Sequence, residues 1–188
     1  MSSKDTTYFN ALYQVARVIN SSLEPKKVLE RIAEQVTTAT GSKACNIRLL
    51  DKNKNHLLPG ASYGLSDGYM RKGTVEVDKS GVDRKILAGE IIQIENACED
   101  PGFQYPDKAK EEGFTSILML PLQTEGDKVI GVLRIYSEKP RKFAKDEIEF
   151  AQAVASLSAI AINNARMHEA LNLNYQILNE YQYQIFED

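Results

Sequence analysis

Two cysteines, two histidines and one serine motif are the features of this 188-residue chain that could support catalytic or metal chemistry. Cys98 lies among acidic neighbours, which disfavour the reactive thiolate, so we expect no redox role for it. Cys45 lies in a run of alternating apolar residues, which predicts a small buried side chain. With only His56 and His168 beside these thiols, the chain is poorly supplied for a disulfide framework or a metal site.

The serine motif is Gly64-Leu-Ser-Asp-Gly68, which matches the G-x-S-x-G pattern of serine hydrolases. In those enzymes the serine lies at a sharp turn between a strand and a helix. Here the residues up to Gly73 leave too little room for such a helix, and His168 falls in a long terminal helix. We therefore interpret the motif as a turn and expect no catalytic role for Ser66.

Composition excludes several broad classes of protein. Apolar residues make up 43% of the chain and charged residues 26%, values typical of one folded globular domain. The net charge of −3 provides no general attraction for nucleic acid or an anionic membrane. No stretch approaches the roughly 18 to 20 apolar residues of a membrane span, and the N-terminus lacks the apolar region of a signal peptide. We expect a soluble, cytoplasmic protein.

Hydrophobic periodicity indicates which elements must position any site. The patterns predict helices at about 6–20 and 25–40, a short helix at 80–89 and a long helix from 145. They also predict a strand pair within 45–63, a weak strand at 74–77, a strand at 91–94 and a hairpin within 116–137. Residues 96–113 mix proline, glycine, aromatic and charged residues, which predicts a surface excursion with one helical turn.

The long final helix has two predicted faces. The inward positions are Ile148, Ala151, Val154, Leu157, Ala161 and Ala165. A seam with alternating spacings of three and four runs through Leu157, Ala161, Asn164, His168, Leu171, Tyr175, Leu178, Gln182 and Ile185, and predicts a helical pair. Because the composition shifts to Asn, Gln and Tyr after Arg166, we divide the chain into a domain at 1–170 and a helical extension at 171–188.

Short motifs follow one another in the same order as these elements. They are Gly81-Val82, Gly89-Glu90, Asp100-Pro101, Gly113-Phe-Thr-Ser-Ile117, Pro121-Leu122, Gly131-Val-Leu133, Phe143 with Asp146, and Ala161-Ile-Asn-Asn-Ala165. Over about residues 8 to 170 the sequence resembles the GAF domain family. The resemblance implies an α/β (α+β) fold, in which a central antiparallel sheet of five or six strands has the N- and C-terminal helices on one face and a small-molecule pocket on the other.

Ligand signatures known from that family do not match this sequence. The Asn-Lys pair of the cyclic-nucleotide-binding members is replaced by Ser137-Glu138, and Phe143 lies one residue too close to Asp146. Bilin-binding members attach the chromophore through a loop cysteine beside a histidine, which Cys98 lacks. Neither histidine of this chain is placed to ligate a haem in the pocket. We therefore expect no cyclic nucleotide, bilin or haem.

Alternation along two strands predicts which residues lie on the face away from the terminal helices. If Ile47, Leu49, Leu133 and Ile135 face those helices, then Asn46, Arg48, Val132, Arg134 and Tyr136 face the pocket side. Two neighbouring arginines favour an anionic ligand. The alternative is that both arginines pair with carboxylates of the excursion, such as Glu99 or Asp107.

Two further groups of residues complete the candidate site. Ser80, Gly81 and Val82 begin the short helix, where free backbone N–H groups suit an anion. Phe103 and Tyr105 either cap the pocket or pin the excursion to the sheet.

Three functions remain open from the sequence. The favoured hypothesis is a regulatory sensory module that binds a small ligand and acts as a homodimer through its terminal helices. Its output would be a following domain, such as that of a histidine kinase, or a partner protein. The alternatives are a dimerisation scaffold without a ligand and a thiol-redox enzyme of the methionine sulfoxide reductase type. The cysteines do not favour the enzyme, because that reaction uses several loop cysteines.

Overall fold

The computed structural model describes the backbone of residues 3–21, 24–71 and 73–185 and the side chains of residues 4–20, 24–71 and 73–177. The helices are α1 (Ser3–Ser21), α2 (Pro25–Thr40), α3 (Asp67–Met70), α4 (Gly81–Leu87), α5 (Pro106–Glu112) and α6 (Lys145–Ile185). The strands are β1 (Ala44–Leu50), β2 (His56–Tyr63), β3 (Val75–Glu76), β4 (Ile92–Ile94), β5 (Ser116–Gln123) and β6 (Val129–Ser137). None of the helices in these ranges has the length and apolar character needed to cross a bilayer.

Helix α2 shows how local sequence sets the helix ends. Pro25 occupies the first turn, where its missing N–H leaves no hydrogen bond unmade, and Val28, Ile32 and Val36 are buried along one face. Gly41 ends the helix in the left-handed conformation at φ 59°, which is favourable for a residue without Cβ. The predicted boundaries of this helix are confirmed.

The six strands form one antiparallel sheet in the order β3-β2-β1-β6-β5-β4. Helices α1, α2 and α6 pack on one face, over a core that includes Ile47, Leu133 and Ile135. Helices α4 and α5 and the loop between β4 and β5 lie over the opposite face, which we call the far face, and a second core there includes Val132 and Tyr136. The predicted fold class and the predicted parity of β1 and β6 are both confirmed.

Close backbone approach between β1 and β6 depends on Gly131. This residue pairs with Leu49, and a Cβ atom added to it would lie 2.3 Å from the carbonyl oxygen of Arg48. Real Cβ atoms do not come so close to backbone oxygen, so glycine is required for this spacing. The spacing holds Arg48 and Arg134 on adjacent strands of the same sheet.

The inward face of α6 agrees with the predicted one in most positions. Ala151 and Val154 are fully buried, and Ile148, Leu157 and Ala161 are partly buried and pack against the same core, whereas Ala165 is only half-buried. The centre of the buried face also includes positions that were not predicted, which are Phe150, Ala155, Ser158, Ala159 and Ile162. Ser158 interrupts the apolar pattern of this face because it is polar. Its hydroxyl donates a hydrogen bond to the Val154 carbonyl oxygen at 2.8 Å, which allows the side chain to lie inside the core.

The predicted seam begins at the margin of the core, against which Leu157 and Ala161 pack, and then leaves it. Asn164, His168, Leu171 and Tyr175 are exposed in the single chain. Leu178, Gln182 and Ile185 lie outside the described side chains.

The excursion also differs from its prediction, because α5 makes two helical turns between Pro106 and a left-handed Gly113 rather than one.

Candidate functional site

Polar side chains are concentrated on the far face of the sheet, where the packing is otherwise apolar. Asn46 and Arg48 from β1 and Arg134 from β6 are each no more than 2% exposed. Asn46 pairs directly with Arg134 across the two strands, and Arg48 pairs with Val132. The two arginines are therefore diagonal neighbours on one face, a relationship that places Cβ atoms roughly 7 to 8 Å apart. We call Asn46, Arg48, Arg134 and Asp83 the far-face cluster.

Asp83 joins this cluster from helix α4. Nη2 of Arg134 donates a hydrogen bond to Oδ1 of Asp83, and both side chains are buried. Ser80 is the N-cap of α4, and its hydroxyl accepts from the Asp83 N–H at 3.2 Å and donates to Oδ2 at 2.7 Å. The carboxylate is thus held by one charged and one neutral donor. The expected alternative partners were wrong, because Glu99 and Asp107 are exposed and the carboxylate comes from α4.

Arg48 is held by backbone carbonyls and forms no ion pair with any residue that the structure describes. Its Nη1 donates to the carbonyl oxygens of Leu57 at 3.1 Å and Gly73 at 3.3 Å. Burial and then the positive charge of Arg134 lower the pKa of Arg48. Burial alone would also lower the pKa of Arg134, but Asp83, followed by Tyr136 and Tyr69, outweighs that effect and the pKa is raised. The two guanidinium groups therefore occupy unequal electrostatic environments.

Several buried polar atoms of this region have no hydrogen-bond partner in the described part of the chain. They are Oδ1 of Asn46, Nη2 of Arg48, Oε1 of Gln104 and Nε of Arg134. The amide nitrogen of Asn46 faces the Met70 sulfur at 3.4 Å, which is a weak acceptor. Leaving a buried polar group unpaired costs about 1 to 3 kcal/mol, so such atoms point to a bound ligand or an ordered water.

A small closed cavity reaches Arg134 from the excursion side. Its lining residues are Val75, Ser80, Val82, Asp83, Phe103, Gln104, Tyr105, Met119 and Arg134. The space open to the centre of a water molecule is about 10 Å³, which is enough for about one water. Phe103 packs edge-on against Phe114, and the Tyr105 hydroxyl lies 3.4 Å from the Thr74 carbonyl oxygen. These two aromatic residues both close the cavity and pin the excursion.

Tyr136 and Gly81 lie outside this cavity. Tyr136 packs in an aromatic cluster with Tyr69 and Phe114, and burial raises the pKa of its hydroxyl. Gly81 lines a wider outer groove of about 560 Å³ between α4 and β4, and Val82 borders both spaces. Of the nine predicted site residues, Ser80, Val82, Phe103, Tyr105 and Arg134 line the closed cavity, while Asn46 and Arg48 lie beside Arg134 in the sheet.

Comparison with known proteins is consistent with this arrangement of sheet and helices. A family model described as "GAF domain" matches residues 22–163, which is more than half of the chain. The chain belongs to the GAF domain family. A "Methyl sulfide methyltransferase-associated sensor" from Methanosarcina acetivorans is 28% identical over 131 residues. The aligned part is 68% of this chain but only 13% of that relative.

Solved structures share the same fold. The GAF domain of an Acinetobacter phosphoenolpyruvate-protein phosphotransferase superposes with a TM-score of 0.74 at 27% identity, covering 89% of this chain and 97% of that one. A free methionine-R-sulfoxide reductase from Neisseria meningitidis has a TM-score of 0.72 at 16% identity, covering 89% of this chain and 95% of that one. At that identity the second match shows the fold alone. This GAF domain is a sensory module of the kind found in signalling proteins.

The thiols and the serine motif of this GAF domain lie apart from the far-face cluster. Ser66 is the N-cap of α3, and its hydroxyl contacts the Glu112 carboxylate rather than a histidine. Cys98 is half-buried with its sulfur 3.8 Å from the Phe114 carbonyl oxygen. Cys45 is fully buried, and burial raises the pKa of its thiol. The described residues contain no group of three or more His, Cys, Asp or Glu side chains suited to a metal ion.

Sequence reasoning missed three residues of the site. Met119 lies on the far face because it pairs with Arg134, and the alternation of β5 carried that signal. Asp83 directly follows the predicted site residues Ser80, Gly81 and Val82, but its partner 51 residues away had no local signal. Gln104 lies in the irregular excursion, where no periodic pattern indicates the direction of a side chain.

Proposed function

We propose that this GAF domain senses a small molecule that binds on the far face of the sheet, beneath α4 and the excursion. The observation that carries the proposal is the set of buried polar atoms without partners around Arg48 and Arg134. A binding site that provides fixed donors in an apolar surrounding gains both affinity and specificity from them. A ligand would satisfy donors that the described residues leave unused.

Binding requires the covering segment to move, because the cavity admits only about one water molecule. The segment that must yield consists of α4 and the aromatic residues Phe103 and Tyr105. Its movement is coupled to the sheet by the contact between Asp83 and Arg134. A ligand can shift the domain only if it binds the open and closed states with different affinities.

Strand β6 offers a route from the site to the terminal helices. Arg134 faces the ligand site, whereas its neighbours Leu133 and Ile135 face the core under α1, α2 and α6. A small displacement of β6 would therefore change the packing beneath α6. Packed cores convert such displacements into discrete shifts of helices, which is how a sensory domain transmits a signal.

We propose that the transmitted signal passes through a homodimer. Leu171 and Tyr175 of the predicted seam are exposed by 65% and 68% in the single chain, which is unfavourable for apolar side chains along a helix. A groove of about 250 Å³ next to the seam is lined by Ile19, Val28 and Ala161, among others. A second copy of α6 would cover this surface. The output would be a further domain or a partner protein, and the site of action would be the cytoplasm.

A dimerisation scaffold without a ligand is the second candidate function. The observation that favours it is the small size of the closed cavity, which side chains of the excursion already fill. Enzymatic reduction of methionine sulfoxide is less well supported. Its thiol chemistry requires reactive cysteines close together, whereas Cys45 is buried on the helix side of the sheet and Cys98 lies over the far face.

Native mass spectrometry of the purified protein tests the sensor proposal directly. We expect a dimer that carries an additional small-molecule mass, and the mass to disappear when Arg48 is replaced by glutamine. Arg84→Gln is the matched control, since it removes an exposed arginine from α4. A bare dimer that binds no compound from a metabolite extract would favour the scaffold, and a bare monomer would contradict both functions.

A further inference from the structure

The charges buried on the far face do not balance. Arg48 and Arg134 are positive and Asp83 is negative, and all three are at most 4% exposed. The other buried carboxylate among the described residues, Glu147, lies at the start of α6 and accepts a hydrogen bond from Arg141 at 2.8 Å. The far-face cluster therefore holds one excess positive charge, because arginine stays protonated even when it is buried.

An excess charge in an apolar interior is unfavourable unless a counter-ion or strong hydrogen bonds compensate it. Among the residues that the structure describes, Arg48 has two carbonyl oxygens as partners, both at one of its three nitrogens. Its second terminal nitrogen and Nε of Arg134 are buried donors without a hydrogen-bond partner in the described part of the chain. Both belong to guanidinium groups on adjacent strands, and both atoms are buried.

We propose that the ligand of this GAF domain is a small organic monoanion of the carboxylate class, bound between Arg48 and Arg134 while Asp83 keeps its ion pair. This inference rests on the proposed sensor function and adds the chemical class of the ligand. A carboxylate has two oxygens, which can accept from the two unused guanidinium donors. One negative charge brings the cluster to neutrality, whereas a neutral molecule leaves one positive charge and a dianion leaves one negative charge.

The surroundings of Arg134 favour an organic rather than an inorganic monoanion. Val82, Phe103 and Met119 line the cavity beside its guanidinium group. These side chains provide apolar contacts for a short carbon chain once the covering segment has moved. The carboxylate would then face the sheet and the carbon chain would face the excursion.

A comparison of acetate with acetamide isolates the charge of the ligand from its shape. The probes are sodium acetate and neutral acetamide, and the readout is the Nε–Hε nuclear magnetic resonance signal of Arg134 in the wild-type protein. We expect a saturable shift with acetate and none with acetamide. Equal responses to both compounds, or no saturable response to acetate, would overturn the inference.

Substitution of Arg48 tests whether this residue provides one of the two hydrogen-bond donors to the carboxylate. Arg48→Gln should weaken acetate binding roughly ten- to a hundredfold, the effect of losing one charged hydrogen bond. Arg84→Gln, the exposed control on the same covering helix, should leave acetate binding unchanged. If both variants bind acetate like the wild-type protein, Arg48 is not a ligand and the inference fails.

Asp83→Asn tests the charge balance by adding to the excess positive charge of the cluster, whereas Arg48→Gln removes part of it. Both arginines stay in place in this variant. It raises the excess charge of the cluster from one to two, so a dianion should become the better match. At equal ionic strength, we expect sulfate to gain affinity relative to acetate in this variant compared with the wild-type protein. An unchanged ratio of the two affinities would contradict the charge-balance argument.

The proposed function and this inference can fail separately. If the purified protein retains a neutral or cationic molecule that contacts Arg134, the sensor function stands and the monoanion inference is wrong. If acetate binds at the two arginines but never changes the dimer or its helices, the ligand class stands and the sensor function is wrong.

Discussion

Arg134 on β6 and Asp83 on α4 form a buried ion pair that ties the covering helix to the centre of the sheet. The two residues are 51 positions apart in the chain, and Ser80 holds the same carboxylate from the helix side. Among the described residues, Asp83 is the only carboxylate of the far-face cluster. The pair connects it to one of the two arginines of that cluster. The position of α4 over the sheet therefore depends on electrostatics as well as on apolar packing.

Asp83→Asn should destabilise the fold because it leaves a buried guanidinium without its counter-ion. We expect the free energy of unfolding in urea to fall by about 3 kcal/mol, the lower end of the effect of breaking a buried pair. Asp78→Asn is the matched control, since Asp78 is exposed in the turn just before α4. Equal stability of the two variants would show that the ion pair contributes little.

Gly131→Ala should disturb the pairing of β1 with β6. The added Cβ atom would lie 2.3 Å from the Arg48 carbonyl oxygen, and a backbone atom cannot rotate away as a side chain can. Overpacking of this kind costs about 1 to 3 kcal/mol, measurable as a lower midpoint in urea denaturation. Gly68→Ala is the control, because its Cβ would meet only Ser66 Oγ at 3.7 Å and should leave the midpoint nearly unchanged.

Leu171→Glu should convert the proposed dimer into a monomer. A carboxylate at this seam position would face the equivalent position of the partner helix, where desolvation and charge repulsion oppose pairing. Analytical ultracentrifugation at tens of micromolar measures the change. Leu173→Glu introduces the same residue two positions further along α6, off the seam, and should leave the dimer intact. Dissociation by both variants, or by neither, would argue against the predicted seam.

The two thiols should react with very different rates in the folded protein. Cys45 is fully buried and the pKa of its thiol is raised by burial, whereas Cys98 is half-buried near the surface. A chromogenic disulfide reagent should therefore titrate one thiol per chain in native buffer and two in denaturant. Cys98→Ala should remove the native reaction entirely. A fast native reaction in that variant would show that Cys45 is accessible.

Tyr8 should make stability depend on pH in the alkaline range. Burial and then Glu147 raise the pKa of Tyr8 from 10.0 to about 12, so the folded state favours the neutral hydroxyl. Its contribution is complete below pH 10 and is lost as the pH rises through 12. Tyr8→Phe keeps the ring stacked on Phe150 but cannot ionise. Urea denaturation at pH 9 and pH 11 should show a smaller loss of stability in this variant; an equal loss would contradict the assignment.

Short-range patterns in the sequence determined the elements and their faces. Pro25 and Gly41 bound α2 through their own backbone preferences, and the alternation along β1 and β6 assigned Arg48 and Arg134 to one face. These features depend on dihedral angles and on side-chain periods of 3.6 and 2, which a sequence displays directly. The pattern failed at Ser158, where a local hydrogen bond allows a polar residue inside the core.

Only the tertiary structure decided which partners those residues meet. Asp83 rather than Glu99 or Asp107 pairs with Arg134, and Arg48 is left with backbone carbonyls, because the path of α4 and the excursion over the sheet selects the contacts. That path results from packing of residues far apart in the chain, such as Phe103 on Phe114. The sequence by itself thus determined that two arginines share the far face, and the fold decided that, among the described residues, Arg134 alone of the two has a carboxylate for a partner.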